Sequence, residues 1–336
     1  MERMDYRPIG RSRTRLSIGD PMKRRLFFPA LLLALAVAAA GPSFSQQQKK
    51  KADDIRVDVT VSAITIAVTV QTSGGKYIND LTDKDFTIYE NNEKRPITYF
   101  KHDFDAPLSL TVLLDVSGSM AVLNKLEEAK VGLRNLVNFV LSPRDEVSLL
   151  IFADGQVEVA APFSTDRTEF LKVLEATNAY GQTALNDAVA VSPEFANRGH
   201  NEKRALLLIT DGVENDSRVT PDEAVEIARR VDVPIYTIGY KIPLDEQVLK
   251  ALKRAKTLTS AGIVETLDRF SRATGGKAVF VNRPEEMSGA LRELKREQSQ
   301  QYLIGYTSYK DVTGDYRRIR VVTANKRYKV RTREGY

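Results

Sequence analysis

From residue 108 onward the sequence alternates short, unbroken apolar runs with stretches of helical periodicity, and this texture restricts the fold more than any other feature. A strand that is apolar at every position must be covered on both faces, the condition of a parallel sheet flanked by helices. Runs of this kind are read at residues 108–114, 147–152, 205–209, 234–238 and 277–281, with 157–161 as an antiparallel edge hairpin. Helices are expected near 122–141, 167–174, 183–196, 221–231, 263–273 and 285–298. Pro221 behind Thr220 marks one helix start, and Gly275-Gly276 marks one helix end. The expected fold class is therefore α/β, with a doubly wound, mostly parallel sheet.

The flanks have a different texture. Between residues 55 and 100 β-branched residues recur with period two: Val57, Val59 and Val61 alternate with Asp58, Thr60 and Ser62, and Ile64, Ile66, Val68 and Val70 continue the pattern. Ser73-Gly74-Gly75 and Asn91-Asn92 are turn signals, and Phe86, Ile88 and Tyr89 form a strand between them, with another at 97–100. The tail returns to strand-like sequence at 302–306, 316–323 and 327–331, with a turn at 311–315. These strands are expected to pair with the N-terminal ones in a smaller antiparallel β module built from both flanks. The expected organisation is a β module at 55–106, an inserted α/β domain at 107–298 and C-terminal strands at 299–336, in line with a length of 336 residues.

The first 45 residues read as an export signal. Lys23, Arg24 and Arg25 precede an apolar run, residues 26–40, and small residues follow it. That run is short against the roughly 20 residues a membrane span needs. Met22 is an alternative start, a polar linker occupies 46–54, and the expected location is periplasmic or secreted, or membrane-anchored if the signal is retained. Export also explains the charge. Residues 1–51 hold 11 of the 50 Lys and Arg but 3 of the 44 Asp and Glu, which leaves 39 basic against 41 acidic residues in the remainder. The net charge of +6 therefore belongs to the export segment and the Lys49–Lys51 run after it, and gives no support to a nucleic-acid partner.

Cysteine is absent, which excludes disulfides, thiolate metal sites and a Cys nucleophile. The two histidines, His102 and His200, lie far apart in sequence and read as surface residues, so a His-rich zinc site or a His-based triad is disfavoured.

Chemistry concentrates at the ends of two apolar runs. The first leads into Asp115-Val116-Ser117-Gly118-Ser119, and the run at 205–209 leads into Thr210-Asp211-Gly212. In open parallel sheets, ligands bind beyond the carboxyl ends of the strands where the strand order reverses. If these two strands are neighbours there, Asp115, Ser117, Ser119 and Asp211 converge with Thr183 of the Gly181-Gln182-Thr183 loop. Two carboxylates and three hydroxyls are hard oxygen donors that suit Mg²⁺ or Mn²⁺ rather than zinc or copper. An octahedral ion so held keeps a position for an outside ligand, and hydroxyl donors leave it electrophilic enough to favour an external Glu or Asp.

Each motif also has a plain structural reading. Ser119 or Thr183 could cap a helix, and Asp211-Gly212 could be an ordinary turn. Their joint occurrence, in this order, favours the metal. Asp115, Ser117, Ser119, Thr183 and Asp211 resemble the metal-ion-dependent adhesion site of von Willebrand factor A domains, and all five positions match. The resemblance covers about residues 107–298. The flanking segments at 81–90 and 302–306 resemble the von Willebrand A-related proteins abundant in acidobacteria. Membership of that family implies an exported protein with no established activity and supplies no ligand. The expected function, a non-enzymatic protein of Rossmann-like fold that binds a protein partner in adhesion or scaffolding through an acidic residue completing the metal's coordination, comes from the metal site.

Two other functions compete with that reading. A Mg²⁺-dependent hydrolase would use Asp115 as nucleophile, but it wants a second acid where Ser117 stands and a Lys for phosphate, which the motif loops lack. A structural envelope protein would leave the metal site unused. Glu127-Glu128, Asp222-Glu223 and Glu285-Glu286 fall on expected helix first turns or exposed faces, as solvated charges or dipole partners, and the basic stretch at 250–256 reads as a surface insertion that could dock a partner.

Overall fold

The computed structural model describes residues 15–16, 60–102, 105–242, 259–310 and 316–336. The export segment apart from Arg15–Leu16, the linker, residues 55–59, the basic stretch at 250–256 and the turn at 311–315 lie outside the described residues.

The strands begin with β1 (Arg15–Leu16), β2 (Thr60–Gln71), β3 (Phe86–Glu90), β4 (Glu93–Arg95), β5 (Ile97–Lys101), β6 (Leu108–Asp115) and β7 (Glu146–Ala153). They continue with β8 (Gln156–Ser164), β9 (Lys203–Thr210), β10 (Ile235–Tyr240), β11 (Ala278–Val281), β12 (Tyr302–Lys310), β13 (Ile319–Thr323) and β14 (Lys329–Arg331). The α-helices among the described residues are α1 (Lys125–Asn135), α2 (Thr168–Ala176), α3 (Leu185–Ala196), α4 (Pro221–Ala228), α5 (Ser260–Ala273) and α6 (Pro284–Ser299).

The central sheet has the order β1-β8-β7-β6-β9-β10-β11. It is parallel from β7 through β11, while β8 runs antiparallel at its edge and pairs with β1. All eight residues of β6 are buried, as the unbroken apolar run requires. Leu108, Leu110, Val112 and Leu114 pack on one side with Leu126, Leu133, Phe170, Met287 and Leu291 of α1, α2 and α6. Leu113 and its neighbours Leu150, Leu206 and Leu208 pack on the other side with Leu185, Val189, Ala224, Leu267 and Phe270 of α3, α4 and α5. Each fully buried Leu or Phe contributes roughly 1.5–3 kcal/mol, so two such layers hold the sheet without disulfides.

Helix boundaries follow local chemistry. Thr220 accepts from the Glu223 amide, and Pro221 takes the first turn of α4. After α5, Gly275 adopts φ 85° while the Gly276 amide returns to Ser271 O at 2.8 Å, closing the helix end. The largest departure from expectation is at residues 122–141. A short 3₁₀ segment, Gly118–Asn124, comes first and kinks at Leu123 and Asn124, which have φ of 56° and 55°. Only then does α1 begin, and a π-helical turn ends it at Leu136–Val140. An apolar repeat of 3.6 cannot register this kink, because Leu123 and Asn124 serve the loop rather than the core. Likewise α3 starts at Leu185 with Ala184 as its N-cap, so Thr183 precedes the helix and does not cap it.

The flanks form two small antiparallel sheets, β14-β2-β12-β5 and β13-β3-β4. Ile66, Val68, Val70, Phe86, Ile88, Tyr302, Ile304 and Tyr306 fill the core between them. C-terminal β12 lies between β2 and β5, with Ile304 opposite Ile66 on one side and Phe100 on the other. The N-terminal strands of this sheet are therefore joined through the tail. Asn91 and Asn92, both at positive φ, make the two-residue hairpin from β3 to β4. A buried polar cluster ties the tail to the α/β layer: Tyr236 Oη donates to Glu297 Oε1 at 2.6 Å, Tyr77 Oη donates to Glu297 Oε2 at 3.3 Å, and Arg331 pairs with Glu297. Among the described residues, no helix is long and apolar enough to cross a membrane.

Candidate functional site

Strands β6 and β9 are neighbours, with Leu114 opposite Ile209 in parallel register. The chain leaves β6 toward β7 on one side and later enters β9 on the other, so the strand order reverses between them. Asp115 and Asp211 emerge at the carboxyl ends of these two strands, and both are fully buried.

The first loop is shaped by its own side chains. The Ser117 amide donates to Asp115 Oδ1 at 2.9 Å, an Asx turn that lifts the chain out of the sheet. Asp115 Oδ2 accepts from Thr210 Oγ1 at 2.6 Å, and Thr210 Oγ1 accepts from the Gly212 amide at 2.9 Å, so one hydroxyl links the two strand ends. Asp211 Oδ1 accepts from the Val213 amide at 3.1 Å and from Ser119 Oγ at 3.1 Å. Ser117 Oγ and Ser119 Oγ share a further hydrogen bond of 3.1 Å. Asp115, Ser117, Ser119 and Asp211 thus belong to one connected set.

Thr183, also buried, is brought to the same rim by its backbone. The Gly118 amide donates to Gly181 O at 3.0 Å, and the Tyr180 amide donates to Val116 O at 2.8 Å, so the threonine loop lies directly on the serine loop. Gly181 sits at φ 68°, and a Cβ there would come within 2.2 Å of the Asp154 carboxylate, which accepts from the Gln182 amide at 2.6 Å. From the other side the Thr183 amide donates to Asn215 Oδ1 at 2.9 Å, and Thr183 O accepts from the Asn215 and Asp216 amides. The described residues show no hydrogen bond between the Thr183 hydroxyl and the other four side chains; the loop's proximity is a backbone property.

Several contributors escape sequence reasoning. Thr210, one residue before the second acid, fixes the first. Glu214 accepts from the Ser217 amide at 2.8 Å, and Asp187 accepts from the Arg218 and Val219 amides at 3.0 Å, so these acids brace the loop after β9. The most consequential is Lys125, which is 4% exposed. Its Nζ donates to Asp211 Oδ2 at 2.7 Å and to Ser119 O at 3.3 Å. The motif loops themselves carry no lysine, but after the kink at Leu123-Asn124 the first residue of α1 brings one into hydrogen-bond contact with them. A basic residue shortly after Ser119, beside the polar break of Asn124, was the available signal.

The electrostatics follow from this crowding. Burial and the adjacent Asp211 charge push the Asp115 carboxyl up to about 7, against the opposing hydrogen bonds from Thr210 and Ser117. The two buried carboxylates and the Ser117 and Ser119 hydroxyls connected with them are hard oxygen donors, the type that could hold Mg²⁺ or Mn²⁺. With only two acids in the set, no group of three or more His, Cys, Asp or Glu placed to hold a metal occurs here or anywhere else among the described residues.

A second polar cluster lies at the opposite end of the sheet. Ser109 Oγ donates to Glu146 Oε1 at 2.5 Å, and His200 Nδ1 lies 2.8 Å from Glu146 Oε2. The carboxylate stands between serine and imidazole, so this is not a nucleophile–base arrangement.

Residues 110–214, which contain all five candidate residues, match the model of the von Willebrand factor type A domain. An uncharacterized protein of Borreliella burgdorferi is 24% identical over 207 residues, 58% of this chain and 60% of that protein, so the match spans less than two thirds of the relative's length. Among solved structures, BatB of Bacteroides thetaiotaomicron is 19% identical, with a TM-score of 0.41 over 56% of this chain and 98% of that one. A von Willebrand factor type A protein of Catenulispora acidiphila is 12% identical, with a TM-score of 0.47 over 71% and 69%. The chain carries a von Willebrand factor type A domain.

Proposed function

We propose that this von Willebrand factor type A protein captures a partner protein through a divalent cation, Mg²⁺ or Mn²⁺, held by Asp115, Ser117, Ser119, Thr183 and Asp211. One observation carries the reading: at the point where the strand order reverses, the Asp115 carboxylate accepts from the Ser117 amide, the Asp211 carboxylate accepts from the Ser119 hydroxyl, and the two serine hydroxyls bond to each other. The ion would supply an electrophilic centre for a carboxylate of the partner. Asp115 and Asp211 offset its charge, Ser117, Ser119 and Thr183 offer neutral oxygens, and Thr210 and the Asp154 and Asn215 contacts keep the three loops in place. The chain acts in this reading as an exported adhesion or scaffolding protein of the cell envelope, its leader removed or retained as an anchor.

The hydrolase reading gains Lys125 but still has Ser117 where a second acid is needed, and the lysine is committed to Asp211 rather than to an open phosphate site. The test is capture of envelope proteins by the purified chain with and without EDTA, beside Asp211→Ala and Ser119→Ala. Capture that is lost in EDTA and in both variants, with circular dichroism unchanged, supports the proposal. Capture that persists in EDTA, or turnover of a phosphoester that Asp115→Asn abolishes, refutes it.

A further inference from the structure

The ammonium of Lys125 lies against the same carboxylate that the metal reading assigns to the cation. It is 2.7 Å from Asp211 Oδ2, while the other oxygen of Asp211 receives the Ser119 hydroxyl. The stem is buried with it, since the side chain is 5% exposed. The local backbone is bent to this end: Leu123 and Asn124 occupy the left-handed region, a conformation costly for Leu, and Lys241 Nζ donates to Leu123 O at 3.2 Å across the kink. A straight helix from residue 122 would carry position 125 elsewhere.

We infer that Lys125 is a tethered counter-ion of Asp211 that holds the metal-free loops together and sets how tightly a divalent ion binds. The inference rests on the metal-site reading above. A dication approaching Asp211 meets a fixed positive charge in a poorly screened pocket and must take over an oxygen already engaged by an ammonium. Affinity for the bare ion is thereby lowered. With the ion in place, the two carboxylates no longer balance the dication and the ammonium, and one positive charge is left in excess. A single carboxylate from outside cancels it, so Lys125 strengthens the coupling between ion and carboxylate. Asp211 without Lys125 would be left as a buried, unpaired charge when no ion is present, which is a large destabilisation.

The test is titration of the full chain with Mn²⁺, followed by loss of the free-ion paramagnetic resonance signal, for wild type, Lys125→Met and Lys125→Arg. Methionine keeps the buried stem and removes the charge. Removing a unit charge from this distance should tighten Mn²⁺ at least about tenfold in Lys125→Met, while Lys125→Arg stays near wild type. In EDTA the Met variant should melt at a lower temperature than wild type, and Mn²⁺ should restore it. Acetate, as a minimal carboxylate, should tighten Mn²⁺ more in wild type than in Lys125→Met. Equal or weaker Mn²⁺ binding by Lys125→Met overturns the counter-ion role, and an equal effect of acetate on both overturns the coupling. Should Lys125→Met fail to fold in EDTA, recovery on adding Mn²⁺ supports the inference and failure to recover overturns it. Absence of Mn²⁺ binding by wild type is a separate result, which removes the metal-site reading itself.

Discussion

Substituting Asp115 by Asn should flatten the pH dependence of stability in the metal-free protein. The folded carboxyl titrates at about 7 because it is buried beside Asp211, whereas its ordinary value is 3.8. Well below pH 3.8 the group is protonated in folded and unfolded chains alike and costs nothing. Between pH 4 and 7 the unfolded chain has released a proton that the folded chain retains, so stability falls as pH rises. At 1.36 kcal/mol per unit, the displacement from 3.8 to about 7 amounts to about 4 kcal/mol, all of it lost by pH 7 and above. An amide cannot ionise, and Asp115→Asn removes this slope. The substitution also alters the bonds from Thr210 and Ser117, so the readout is the difference in slope and not the absolute stability. Urea denaturation in EDTA at half-unit steps from pH 4.5 to 8 measures it. Parallel profiles for wild type and Asp115→Asn would refute the claim that the two acids crowd one another in a dry pocket.

Two further outcomes follow from the scaffold. Glu90 is fully buried in the β module, 3.1 Å from Arg95 and 2.6 Å from Tyr336 Oη; burial raises its carboxyl, but the Tyr336 bond and the charges of Arg95 and Arg317 outweigh it and hold the group below its ordinary range. Its contribution is therefore complete above the unfolded value of 4.5 and is lost as pH falls through the lower folded value; Glu90→Gln should cost about 3 kcal/mol at pH 7 and less in acid, read by urea denaturation at pH 7 and 3. In Gly276→Ala a Cβ would stand 1.9 Å from Ile235 O, a collision with the backbone of β10 that should cost on the order of 3 kcal/mol in thermal melts, whereas an unchanged melting temperature would contradict the packing.

What could be read from the sequence was what local chemistry determines. The unbroken apolar run before Asp115 predicts a strand covered on both faces, and β6 is buried throughout. The Asp-x-Ser-x-Ser turn depends on a bond spanning two residues, so its shape was implicit in its composition. The period-two flanks announced an antiparallel module, and β12 indeed pairs with β2. The central place of β12 between β2 and β5 was not legible, because register among strands more than two hundred residues apart leaves no local trace. The delayed start of α1 was hidden because apolar periodicity runs through a kink made by two non-glycine residues. Lys125 was missed for the same reason: its partner Asp211 is 86 residues away, and only the kink brings them together.

The most direct test of the central claim is anomalous diffraction at the manganese edge from crystals of the full chain grown in Mn²⁺. The account predicts one strong peak at about 2.1 Å from the Ser117 and Ser119 hydroxyls, with Asp115, Thr183 and Asp211 around it and Lys125 drawn away from Asp211. A peak bound elsewhere, or none at this strand switch with the ion at saturating concentration, would contradict it.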